Sequence, residues 1–332
     1  MKRRHFLRGA CGACAAAAFS GLLPSRLLAA VGMGPRTVQE TRLIMGTVTT
    51  VTVNAASRLR AEEGIGRAFA EMDRLIAVFD RRSGSSALGA LNGAGRLAGA
   101  PAELVEVIAQ AEAYGRMTGH AFNPAVQPVV ALYEERSARG LSVDRADLAA
   151  VLELARPGGI GFSGRDIRLE RSGMGLTLDG IAKGRIADAA AAVLERHGLH
   201  DYLINAGGDI RVSGRNHQGL AWNVGIENPD KTGGVLETLR LSGGAVATSG
   251  GYERFFDQAR RSHHLVDPAT GQSPRTKSVT VTAKTAEEAD ALATCLFILP
   301  PQAGPALVAS RPGAACLIID AEGRRTASPN WG

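Results

Sequence analysis

Asp290 and Thr294 stand four residues apart in TAEEADALATCLF, residues 285–297, so a helix there places a carboxylate and a hydroxyl on one face, among Ala289, Leu292, Ala293 and Leu296. Thr285 followed by Glu288 is a capping box that marks where such a helix starts. Polar groups on a largely apolar helix carry an uncompensated desolvation cost unless something pairs with them. Hard oxygen donors at this spacing suit Mg²⁺, which takes one or two protein carboxylates and fills its remaining positions with phosphate oxygens and water. An aspartate hydrogen-bonded to neighbouring backbone explains the same residue without a metal.

A second stretch, LTLDGIAKGRIAD at residues 176–188, alternates like a strand, turns at Gly180 and opens an alanine-rich helix with Lys183 at its start. A helix N-terminus favours an anion through free N–H groups and its dipole. Gly175 and Gly180 have the spacing of a Walker loop, but Ile181 stands where lysine is required, and no Ser or Thr follows Lys183. No G-x-G-x-x-G follows a strand, which argues against a dinucleotide fold of the Rossmann type. The plain alternative is an ordinary strand-to-helix turn with a surface lysine.

The third cluster is ATSGGYERFF, residues 247–256, followed by HHLVDPATGQSP, residues 263–274. His264 has the pKa range of a general base, with Asp267 near enough in sequence to orient it. The competing reading makes Asp267 the cap of its own turn. Ser249 lacks the G-x-S-x-G elbow that would place it in a hydrolase triad.

These residues need elements to hold them. Residues 46–53 alternate as a strand. Residues 58–79 carry Ile65, Ala68, Phe69, Met72, Leu75, Ile76 and Phe79 at helical spacing, and further helices are predicted over 101–117, 148–155 and 181–197. From Ile160 onward short strands dominate, GLTLDG among them, with a last helix over 286–297. Strands clustered without strict βα alternation predict an α+β fold in one compact domain over residues 31–332.

Residues 1–30, MKRRHFLRGACGACAAAAFSGLLPSRLLAA, read as an export signal, and Arg3-Arg4 before Phe6-Leu7 points to the twin-arginine route. Of the 38 basic residues five lie in this leader, which leaves 33 against 32 acidic ones. A body so balanced offers no polyelectrolyte footprint for nucleic acid. Cys11 and Cys14 belong to the leader. Cys295 and Cys316 are read as two buried thiols, a disulfide being the other option.

Taken in order, MGT at Met45, AFNPAVQP at Ala121, LDGIAKG at Leu178, NAGGDI at Asn205, ATSGGYE at Ala247, HHLVDPATG at His263 and ADALAT at Ala289 resemble the ApbE family, the FAD:protein FMN transferases. The resemblance runs from about Met45 to Leu299. It implies an exported, Mg²⁺-dependent enzyme on an α+β fold related to the T-fold, with antiparallel sheets and flanking helices. Such an enzyme splits the pyrophosphate of FAD, transfers FMN to a Thr or Ser hydroxyl of an acceptor protein and releases AMP. The implied acceptors are flavoprotein subunits of membrane redox complexes of the Rnf and Nqr type, which places the protein in the periplasm, with association at a membrane surface. An FAD pyrophosphatase and a non-catalytic FAD-binding assembly factor are the alternatives.

Carried over by position, the resemblance gives the metal to the Gly180 carbonyl, the Asp290 carboxylate and the Thr294 hydroxyl. It gives FAD to Lys183, Met45, Ala121, Phe122, Asn123, Thr177 and Leu265, with Lys183 and His264 in catalysis and His264 as base. The chain departs from the family pattern at Thr177, at Asn123 in place of an aspartate, at Gly251 in place of Asp or Asn, and at Arg82, where a flavin-packing tyrosine is expected.

Overall fold

The computed structural model describes residues 36–332, so the leader read in residues 1–30, with Cys11 and Cys14, lies outside the described residues. Strand β1 (Arg36–Ile44) turns through Met45 and Gly46 into β2 (Thr47–Ala55). Both turn residues have positive φ, 55° and 70°, as a two-residue hairpin loop of the I′ kind requires. Glycine adopts this backbone freely; methionine does not, so Met45 is held there against a steric penalty.

Helix α1 (Arg58–Phe79) starts where the Ser57 hydroxyl accepts from the Arg60 N–H, and it buries Ile65, Phe69, Met72 and Leu75 as its periodicity predicts. Then follow α2 (Ala87–Ala94), β3 (Arg96–Leu97), α3 (Ala102–Met117), a 3-10 turn at Pro124–Val126, α4 (Gln127–Ala138), α5 (Arg145–Leu154), β4 (Ile160–Ser163) and β5 (Asp166–Leu169). Strands β3, β5 and β4 make a small antiparallel sheet.

The segment after β5 corrects the sequence reading, because GLTLDG belongs to no sheet and ends in a turn at Asp179 and Gly180. The Asn92 side chain of α2 donates to the Leu176 carbonyl at 2.9 Å and accepts from the Leu176 N–H at 2.7 Å, and the Thr177 N–H donates to Pro124 O at 2.8 Å. The alternation was real, but an amide side chain satisfies the backbone where a neighbouring strand was expected.

Helix α6 (Ala182–Arg196) comes next, then β6 (Tyr202–Ala206), β7 (Asp209–Ser213), β8 (Trp222–Glu227), β9 (Val235–Leu241), β10 (Gly243–Gly250), β11 (Ser278–Ala283), α7 (Ala286–Ile298), α8 (Ala303–Ala309), β12 (Ala315–Ile319) and β13 (Arg325–Ala327). Among the described residues, eight strands form one antiparallel sheet in the order β1-β2-β6-β7-β10-β11-β12-β13. The α+β architecture with antiparallel sheets and packed helices is as the sequence predicts. Helices α1, α6 and α7 pack with this sheet over the main core, and the β8–β9 ribbon closes a second cluster around Trp222 and Val246. Cys295 and Cys316 are free buried thiols. Among the described residues no helix is long and apolar enough to cross a membrane.

Helices α6 and α7 are joined by exchanged carboxylates. Asp188 on α6 accepts from the Ala286 and Glu287 N–H groups at the start of α7, each at 2.9 Å, and Asp290 on α7 accepts from the Gly184 N–H at the start of α6 at 3.0 Å. Each helix thus caps the other's exposed donors. The approach is so close that a Cβ on Gly184 would overlap the Ala286 carbonyl and lie 2.7 Å from the Glu287 nitrogen. The predicted capping box at Thr285 is half made: its hydroxyl accepts from the Glu288 N–H, but the Glu288 carboxylate is paired with Arg311.

Gly184→Ala is therefore expected to separate the helices and cost about 1–3 kcal/mol, the range for overpacking a close contact. Asp188→Ala, which strips two N–H groups and Arg211 of their partner, is expected to cost about as much. Urea unfolding measures both, and an unchanged midpoint for Gly184→Ala would contradict the close approach.

Candidate active site

The exchange between α6 and α7 brings together residues a hundred positions apart. Gly180, just ahead of α6, faces α7 so closely that an added Cβ would meet Thr294 Oγ1 at 2.8 Å and Phe122 at 3.2 Å. The Ser249 hydroxyl lies 3.4 Å from Thr294 Oγ1. Asp290, one turn earlier on α7, is 4% exposed, and Gly184 supplies a hydrogen bond to only one of its oxygens.

Beside it Lys183 pairs with Asp209, the first residue of β7, which is 2% exposed. Burial pushes the Asp290 carboxyl up to about 8, and the Asp209 charge pushes the same way, against Lys183 and the Gly184 N–H. Burial likewise raises Asp209 above the usual carboxylate range, with Lys183 opposing it. Burial alone would lower the Lys183 ammonium, but Asp209 and Asp290 outweigh it and hold it above its ordinary value. Lys183 bonds one of the two buried acids, Asp209, and burial holds both carboxyls above their ordinary range.

This arrangement fits a small hard cation. Asp290 offers a carboxylate whose ionised form is disfavoured by burial, and Thr294, one turn further along α7 with Gly180 packed close against it, lines the same cavity. Among the described residues no three His, Cys, Asp or Glu side chains gather as a metal cage. A set with one carboxylate and one hydroxyl suits Mg²⁺ more than Zn²⁺, since Mg²⁺ completes its shell with phosphate and water.

A cavity of about 790 Å³ opens over these groups, within the usual size of a small-molecule site. Its lining includes every residue that the family resemblance assigned to the metal, to FAD or to catalysis: Met45, Ala121, Phe122, Asn123, Thr177, Gly180, Lys183, His264, Leu265, Asp290 and Thr294. Met45 reaches it from the β1–β2 turn. Asn123 has its side chain committed elsewhere, accepting from the Ala125 N–H at 2.9 Å and donating to Ala155 O at 2.6 Å, so it shapes the wall through the backbone it pins. The helix start departs from a free anion cradle, because the Ile181 and Ala182 N–H groups donate to Leu178 O and that of Gly184 to Asp290. Of the cationic features expected there, the Lys183 side chain is the one that lines the cavity.

His264 also lines the cavity, on the loop between β10 and β11. Its backbone N–H donates to Arg254 O at 3.1 Å, and its Nδ1 faces the same oxygen at 3.4 Å. A proton on Nδ1 satisfies that carbonyl and leaves Nε2 with the lone pair. Burial, foremost, takes the imidazole down to about 4, against the Arg254 carbonyl and with help from the neighbouring His263, Arg254 and Lys183 charges. Asp267 does not orient this ring. Its carboxylate caps its own turn, accepting from Ala269 N–H and the Thr270 hydroxyl at 2.9 Å each, because the Pro268 turn directs it back to its own backbone. Ser249 contacts Thr294 and makes no triad.

Four cavity-side residues escaped the sequence reading. Asp209 sits in the NAGGDI motif, where a buried acid opening a strand was a signal left unused. Arg81, Glu134 and Arg254 look like ordinary surface charges, yet Arg81 is 3% exposed in its side chain and binds Glu134 at 2.7 Å and Asp179 at 3.0 Å. Arg82 lines the cavity as well, 3.5 Å from Glu134.

The model of the ApbE family matches residues 45–318 of this chain. The FAD:protein FMN transferase of Treponema pallidum is 32% identical over 320 residues, covering 88% of this chain and 87% of that one. The protein of the same name from Escherichia coli K12 is 37% identical over 150 residues, 44% of this chain and 42% of that one. Among solved structures, the ApbE protein of Thermotoga maritima superposes with a TM-score of 0.79 at 27% identity, over 89% of this chain and 97% of that one. The flavin transferase ApbE of Vibrio cholerae shares the fold, with a TM-score of 0.75 at 24% identity over 89% and 98% of the two chains.

The environment of His264 predicts a titration midpoint near 4, read by NMR of its ring. A ring that is harder to protonate in the fold leaves stability whole above the unfolded value of roughly 6.5 and erodes it as pH falls from there towards 4. A midpoint at or above the unfolded value would contradict the burial of the ring.

Proposed function

Since the chain belongs to the ApbE family, we propose that it transfers FMN from FAD to a threonine or serine hydroxyl of an acceptor protein, with Mg²⁺ as its metal, and releases AMP. One observation carries this reading: Gly180, Asp290, Thr294, Lys183 and His264 all line a single cavity. The acceptors are flavoprotein subunits of membrane redox complexes of the Rnf and Nqr type. The leader then sends the protein to the periplasm, where it works against a membrane surface.

In the reaction, an oxygen of the acceptor hydroxyl bonds to the phosphorus of the FMN half, and the pyrophosphate bond from that phosphorus to the AMP half breaks. The hydroxyl proton passes to His264 Nε2 and then to solvent. Nε2 is free to take it because Nδ1 faces the Arg254 carbonyl. FAD phosphates in the cavity raise the proton affinity of the imidazole, as any anion nearby does. Lys183, fixed by Asp209, offers its charge to the departing AMP phosphate. A bound Mg²⁺ held by Gly180, Asp290 and Thr294 supplies Lewis-acid neutralisation of the pyrophosphate. Met45, Phe122 and Leu265 supply apolar wall for the flavin and adenine rings. Catalysis of this kind is mostly positional and electrostatic.

Incubation with FAD, Mg²⁺ and an Nqr-type acceptor subunit, followed by a denaturing gel viewed under ultraviolet light, is expected to give a fluorescent acceptor band. Free FMN and AMP without a band would make the protein a pyrophosphatase, and unchanged FAD would make it a binding protein. Asp290→Ala is expected to abolish labelling. His264→Ala is expected to lower its rate by about 10²–10⁴, the usual size of a lost general base. Labelling at the full rate by either variant would overturn the corresponding role.

A further inference from the structure

We propose that Glu134 and Arg254 are positioning residues, an ionic latch that holds the His264 loop at a set distance from the Gly180 turn. The proposal rests on the reading of His264 as base. A continuous chain of charges runs beside the cavity, whose lining includes Asp179, Arg81, Arg254 and His264. Asp179, next to Gly180, accepts from Arg81 Nε at 3.0 Å. The same guanidinium donates to Glu134 Oε1 at 2.7 Å, and that oxygen also accepts from Arg254 at 2.8 Å. The carbonyl of Arg254 then accepts from the His264 N–H and faces its ring at Nδ1. One end of the chain adjoins the proposed metal ligands, and the other ends on the proposed base.

The loop has a separate apolar anchor on the same helix. Tyr133 stacks on Phe256 with ring centroids 5.3 Å apart and 15° between planes, and its hydroxyl donates to Gly271 O at 2.9 Å. Phe256 and Val266 are buried with Val129, Val130 and Ala155 beneath the loop. These contacts keep the loop attached to α4 without Glu134. The ion pair between Glu134 and the half-exposed Arg254 contributes little to stability, since partly exposed pairs are worth about 0–1 kcal/mol. A displacement of only 1 Å at the reacting groups, by contrast, costs about 10²-fold in rate. The Glu134–Arg254 pair therefore matters for geometry far more than for folding, and glutamine at 134 keeps an acceptor oxygen for the buried Arg81 guanidinium.

Glu134→Gln, Arg254→Met and Arg254→Lys, made in the full chain, separate these effects. With an Nqr-type acceptor subunit, Glu134→Gln and Arg254→Met are expected to lower kcat for FMN transfer by about 10–100-fold, a fraction of an ångström's worth of misplacement. FAD affinity, measured by flavin fluorescence without acceptor, stays within about twofold, and Arg254→Lys recovers most of the rate. In ¹⁵N NMR the wild-type His264 shows a protonated Nδ1 and a free Nε2, and Glu134→Gln averages the two tautomers. Unchanged kcat and an unchanged ¹⁵N spectrum in Glu134→Gln, with His264→Ala inactive, would overturn the latch and leave the base in place. Weakened FAD binding at unchanged kcat would also overturn it, making these residues substrate ligands. Full transfer by His264→Ala would instead remove the base on which the latch acts.

Discussion

The site depends on two carboxylates traded between neighbouring helices. Asp188 leaves α6 to satisfy the first turn of α7, and Asp290 leaves α7 to satisfy the first turn of α6. Neither helix end needs a side-chain cap of its own at those N–H groups, and neither can shift without stranding donors of the other. The absence of a side chain at Gly184 is what permits the approach. Everything proposed to handle phosphate, from Gly180 and Lys183 at the start of one helix to Asp290 and Thr294 on the other, inherits its spacing from this exchange.

The exchange also has an electrostatic result. Asp290 is spent only in part on Gly184, and its burial beside Asp209 disfavours its ionised form even with Lys183 near. A buried carboxyl whose charge is held back in this way is receptive to a divalent ion, because a cation beside it would favour the ionised form. Asp209 and Asp290 hold the Lys183 ammonium protonated against burial, so its role is that of a fixed positive charge, whereas the imidazole across the cavity stays neutral. Fixed charge on one wall and a neutral acceptor on the other is a division of labour set by burial.

Much of this was legible in the chain. The periodicity of residues 58–79 is strong because α1 buries one face, whereas α7, buried on nearly every side, was legible from the capping pattern at Thr285 and its apolar run, and both signals are local. The α+β class followed from the irregular succession of strands. The GLTLDG segment was misread because alternation reports a backbone that is extended, whereas pairing depends on what lies beside it, here the amide of Asn92. Strand β1 and helix α4 went unread: β1 is an edge strand whose exposed charges dilute its alternation, and α4 follows a proline-containing turn with no cap signature. The cavity residues were collected through resemblance to a family, and the ones it did not supply, Arg81, Glu134 and Arg254, acquire meaning only through contacts more than fifty residues apart in the chain. Asp267 shows the opposite failure, where closeness in sequence suggested a partnership that a proline turn forbids.

Met45 carries a consequence for how such proteins drift. Its backbone sits in the left-handed region, where glycine or asparagine would rest more easily by about 1 kcal/mol or somewhat more. Random substitution alone would therefore move this position towards glycine. A large apolar side chain persisting at the tip of the hairpin is a sign that the wall it forms is in use. In a copy of this gene freed from its task, the tip of the hairpin is a place where the loss would be written early.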